Sequence, residues 1–168
     1  MKMTLLVGVY LALSTAAHSQ TNSMTCQGTN LPVEARALLS REQPKGDGLS
    51  ITGLVVCVET NTAFKESTHA LVTNIPFRWI AADTSDKTPL EDKGRTLPEG
   101  YTLSISIGNK QYDAMWACFK WGVKKGKWVV FDNRSDPYLR IELRGSNTVE
   151  VSGASVGTEV TLTKIKPH

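Results

Sequence analysis

The chain has 168 residues, with 19 Lys and Arg against 16 Asp and Glu, three His and three Cys, a length that fits one domain with a proper hydrophobic core. Charged residues at 21% and hydrophobic residues at 40% exclude a disordered acidic tail, a coiled coil and a polytopic membrane protein. A net charge of +3 is too small to argue for nucleic acid as a partner.

Residues 1–19 place Lys2 ahead of an apolar run from Leu5 to Leu13 and end in small residues, the layout of a secretory signal peptide. The run is about half of the ~20 residues that span a bilayer. A removed signal and no stable membrane insertion are therefore expected, with the mature protein secreted: extracellular, or periplasmic in a bacterium. Losing Lys2 leaves 18 positive against 16 negative residues, or +2. Cleavage after Ser19 puts Gln20 first, and cleavage after Ala17 puts His18 first; both satisfy the small-residue rule.

Residues 20–48 read as a polar lead-in followed by a short helix over Pro32 to Glu42. Pro32 suits a first-turn position, Glu34 the positive N-terminal end and Arg41 the last turn, and Gln43 to Gly48 break the helix. Residues 49–168 change to strand texture. Candidate strands are Ser50 to Glu59, Ala70 to Thr73, Phe77 to Ala81, Tyr101 to Ile107, Asp113 to Trp121, Lys127 to Asp132, Tyr138 to Leu143, Val149 to Val151 and Glu159 to Ile165. The alternation in Leu103 to Ile107 and in Val160 to Ile165 predicts strands with one buried and one wet face. The expected fold is all-β, an antiparallel β-sandwich with one short N-terminal helix.

Export places Cys26, Cys57 and Cys118 where thiols tend to pair. Cys57 and Cys118 both fall in strand-like runs and are the expected disulfide, the alternative being buried small hydrophobes. Cys26 would then be left over, free or joined to a second chain in a covalent dimer. The order Cys57, Trp79, Cys118, with Trp116 two residues before the last, resembles immunoglobulin-type domains. That resemblance, together with the strand-like stretch Gly157 to Leu162, implies a sandwich that is immunoglobulin-like in general architecture.

The sequence carries no G-x-S-x-G, no H-E-x-x-H, no phosphate-binding glycine loop and no zinc-spaced Cys pair. Asp132 to Pro137 reads as an Asp/Asn turn, with Asn133-Arg134-Ser135 a glycosylation sequon on it. One enzyme reading is concrete. If His18 is the mature N-terminus, it would pair with His69 as copper ligands. That arrangement resembles secreted β-sandwich copper oxidases, including polysaccharide monooxygenases.

The densest local composition is Tyr112 to Phe131, holding Trp116, Trp121 and Trp128 with Lys120, Lys124, Lys125 and Lys127, against Asp113 alone. Read as a hairpin, it presents a basic turn between aromatic anchors. The expected function is therefore a secreted binding module rather than an enzyme. It would recognise a protein, a glycan or an anionic surface through Lys120, Trp121, Lys124, Lys125, Lys127 and Trp128. Competing readings are the copper oxidase and a structural extracellular or envelope component.

Overall fold

The computed structural model describes Cys26 and residues 31–60, 69–81, 101–117, 123–132 and 137–166. In chain order the elements are α1 (Val33–Arg41), β1 (Lys45–Gly46), β2 (Ser50–Glu59), β3 (Ala70–Pro76), α2 (Arg78–Ala81), β4 (Thr102–Ile107), β5 (Lys110–Trp116), β6 (Trp128–Asp132), β7 (Tyr138–Leu143), α3 (Thr148–Ser152) and β8 (Glu159–Ile165). Among the described residues no helix is long and apolar enough to cross a membrane.

The strands run in the order β2-β3-β7-β6-β5-β4-β8, and β8 pairs back onto β2. The ring closes. This is a seven-stranded barrel with β1 as an extra strand, and the sandwich expected from alternation is overturned. Alternation reports that a strand has one dry face. It does not say whether that face looks at a second sheet or at the far wall of the same one.

Closure explains the pairing of β5 with β6. Strand directions cannot alternate all the way round an odd ring, so at least one neighbouring pair must be parallel. Here β5 and β6 are parallel, with Ala114 opposite Trp128 and Trp116 opposite Val130. Parallel neighbours need a crossover instead of a tight turn. The hairpin expected within Tyr112 to Phe131 is therefore not formed.

Inward positions fill the barrel: Val55, Leu71, Ile75, Leu103, Ile105, Val130, Leu139, Ile141, Val160 and Leu162 are each almost wholly buried. The two ends are closed by short helices where strands were expected. At one end α2 tucks Trp79 and Ile80 into the core. Trp79 donates from Nε1 to the Asp47 carbonyl at 2.7 Å. Lys164, inward on β8 and 4% exposed, donates to the Trp79 carbonyl at 2.6 Å and lies 4.5 Å from the indole centroid, a cation–π contact. At the other end Val149 to Val151, expected as strand, lie in α3. Asn147 Oδ1 accepts from the amides of Val149 and Glu150 at 3.1 and 3.2 Å. Gly153, at φ 73°, returns its amide to the Val149 carbonyl. These two caps outweigh the β propensity of the valines.

A bulge on β2 sets what sits outside. The register against β3 shifts between Val55 and Cys57, so Val56 and Cys57 both join an outer cluster with Val72, Leu31, Ala35 and Cys26. Helix α1 packs on this patch. Its C-terminal carbonyl, on Glu42, accepts from Asn74 Nδ2 at 2.7 Å, while Asn74 Oδ1 accepts from the Leu54 amide at 2.8 Å. Gly53 leaves the room that Asn74 occupies: a Cβ there would collide with its Oδ1.

Cys57 consequently bridges to Cys26, with Cα atoms 6.3 Å apart, and the expected Cys57–Cys118 disulfide is corrected. Strict alternation from Val55 would turn Cys57 inward toward a partner across the core, whereas the bulge turns it out toward the N-terminal segment. Cys26 is thereby engaged within its own chain instead of being left for a second one, and Cys118 lies outside the described residues. A bridged pair is the state an oxidising compartment favours.

Candidate functional site

The basic segment is held by its neighbour in space. Glycines at positive φ turn the chain at Gly126 (φ 78°) and at Gly145 (φ 80°), where residues with a Cβ are strained. The two turns lie side by side. The Gly126 amide donates to the Arg144 carbonyl at 2.8 Å, and the Arg144 amide donates to the Lys127 carbonyl at 3.0 Å. The Lys125 stem lies over Gly145, so close that a Cβ on Gly145 would stand 3.0 Å from Lys125 Cγ. Lys124, Lys125 and Lys127 are exposed and Arg144 is half-buried. Three exposed lysines thus share one rim, with the backbone of half-buried Arg144 tied to it.

The rim continues onto α3. Asn147, the α3 cap, follows Gly145 by two residues. Lys110, at the start of β5, donates from Nζ to the carbonyls of Val151 and Ser152 at 3.0 and 3.3 Å, neutralising the negative end of that helix. Among the described residues the exposed acidic side chains at this end are Glu150 and Glu159.

Trp128 does not accompany the lysines. Trp128 is 6% exposed and points into the barrel, where its ring lies 4.3 Å from that of Tyr112. Trp116 is half-buried against the same core. Trp128 is therefore packing, not an anchor offered to a partner, because the parallel register sets it opposite inward Ala114. Lys120 and Trp121 lie outside the described residues, as does His18. His69 is half-buried just before β3. Among the described residues no group of three or more His, Cys, Asp and Glu gathers as a metal site would.

Sequence reasoning missed two features. Arg144 belongs to the rim through a backbone pairing that no local motif announces. On the outer wall, Arg140 (1% exposed) donates from Nε to Glu59 Oε2 at 2.8 Å and from a second nitrogen to the Cys26 carbonyl at 3.0 Å. Arg140 alternates with Leu139 and Ile141 in a pattern that points it to solvent, and the Cys26 carbonyl lies against it instead. At the far end Asp47 accepts from the amides of Leu49 and Ser50, each at 2.8 Å. The bonds to Ser50 and then Leu49 hold its carboxyl below the ordinary value of 3.8.

No protein-family model matches the chain, and no curated protein is similar to it. Among solved structures it is similar to that of an uncharacterized conserved protein from Thermotoga maritima, with 17% identity and a TM-score of 0.48. The alignment covers 72% of this chain and 38% of that one, so the chain spans well under half the length of that neighbour.

Proposed function

We propose that the protein is an exported binding module that holds an anionic partner on the basic rim of Lys124, Lys125, Lys127 and Arg144. The observation that carries this reading is the pairing of Gly126 with the Arg144 carbonyl, which gathers cations from two separate turns onto one edge. Lysines spread over a surface are ordinary solvation, but cations concentrated on one rim create a local field that draws anions in. Export is supported by the signal-like residues 1–19 and by the Cys26–Cys57 bridge.

Retention on a sulfated-polysaccharide column tests the rim. The wild-type protein should bind and elute with rising salt, since exposed charges are screened within about 10 Å at 0.1 M. The Lys124→Glu, Lys125→Glu, Lys127→Glu variant should flow through. Equal elution of the two proteins removes the rim as the binding site.

A further inference from the structure

The rim carries apolar groups as well as charge. Val151 is 41% exposed on α3, and Val156, in the loop between α3 and β8, is 48% exposed. Both belong to the barrel end that bears the lysines. Lys110 bonds the Val151 carbonyl, α3 follows directly from the Gly145 turn on which Lys125 rests, and the Gly108 amide ties the β4–β5 turn to Glu159 at the start of β8. Among the described residues the exposed charged side chains of this end are Lys110, Lys124, Lys125 and Lys127, with half-buried Arg144, against Glu150 and Glu159.

We infer that the anionic partner of this end is a lipid bilayer surface, with the lysines on the headgroups and Val151 and Val156 entering the boundary below them. The inference rests on the basic-rim reading and narrows it to one source of negative charge. A soluble polyanion offers exposed valines nothing. A bilayer interface takes apolar side chains just beneath the layer that attracts Lys, and the two contributions add.

Vesicle binding by the full chain tests it. Phosphatidylcholine vesicles carrying phosphatidylglycerol should bind the protein, and vesicles of phosphatidylcholine alone should not. Each Lys→Ala replacement among Lys124, Lys125 and Lys127 should weaken binding about fivefold, on the order of 100-fold for all three. Val151→Ser with Val156→Ser adds no charge at two solvent-facing positions. That pair should weaken vesicle binding by about tenfold while leaving retention on the polysaccharide column unchanged. Column retention without vesicle binding, or vesicle binding indifferent to the valine pair, overturns the lipid inference and leaves the rim standing. Vesicle and column binding both indifferent to the lysines overturns the rim itself.

Discussion

Arg140 and Glu59 meet at 2.8 Å on the outer wall of the barrel, at 1% and 4% side-chain exposure, and Arg140 also donates to the Cys26 carbonyl. A charge pair this dry is held by its geometry, because taking either ion out of water is costly. Removing one partner strands the other. Glu59→Ala should destabilise the fold by about 3–5 kcal/mol, read from denaturant unfolding. Glu59→Leu combined with Arg140→Met should recover most of that loss, since an apolar pair leaves no buried charge. A double variant as unstable as the single one would mean that the outer wall needs the ions themselves.

The same cluster contains the disulfide. Cys26 and Cys57 are 31 residues apart in sequence, and on the chain-entropy view closing a loop of that length stabilises by about 3–4 kcal/mol. Cys26→Ala with Cys57→Ala should lower the unfolding free energy by that amount, and dithiothreitol should lower the wild type toward the variant without moving the variant itself. Because the Cys26 carbonyl is also an Arg140 partner, the cysteine change and Glu59→Ala should not add. A coupling above about 0.5 kcal/mol is expected in the double-mutant cycle. Strict additivity would show that the bridge and the ion pair act independently.

Much of this wall was legible from residues alone, and its sidedness was not. Helix α1 follows from Pro32, Glu34 and Arg41, β4 and β8 follow from their apolar periodicity, and β2 and β7 follow from their strand-like texture. Within β2, however, Leu54 to Val58 is apolar at every position, so nothing local marks the bulge that turns Cys57 outward. The same ambiguity hid closure, because a strand with one dry face fits a barrel wall and a sandwich sheet equally well. The Lys-Gly turn at 125–126 has hairpin chemistry, yet the odd ring makes β5 and β6 parallel and sends Trp128 inward. At Val149 to Val151 β-branched residues masked a helix whose signs were its caps, Asn147 and Gly153. The cationic character of the rim was readable from the lysine run, whereas its Arg144 comes from tertiary pairing.

Asp47 gives the fold a pH signature at the opposite end. Its carboxyl is held below 3.8 by the Ser50 and Leu49 amides, so the folded state favours the charged form more than the unfolded chain does. A depressed carboxyl stabilises above its unfolded pKa, and that stability is lost as pH falls through the lower folded value. Asp47→Asn should therefore be less stable than wild type at pH 7. The difference should shrink below pH 3.8, reported by paired melts across that range. A gap independent of pH would assign the Asp47 contribution to turn geometry instead of charge.

Trp128 and Lys124 stand four residues apart in sequence and do different work, which two substitutions separate. Trp128 fills the barrel against Tyr112, and Trp128→Ala should cost about 3–5 kcal/mol through lost burial and the cavity left behind. Lys124 is exposed on the turn, and Lys124→Glu should change stability by no more than about 0.5 kcal/mol. Binding should respond in the opposite sense. At a temperature where Trp128→Ala remains folded by near-ultraviolet circular dichroism, its retention on the polysaccharide column should match wild type, while Lys124→Glu should elute at lower salt. Loss of retention in folded Trp128→Ala would return the indole to the binding surface and contradict its place in the core.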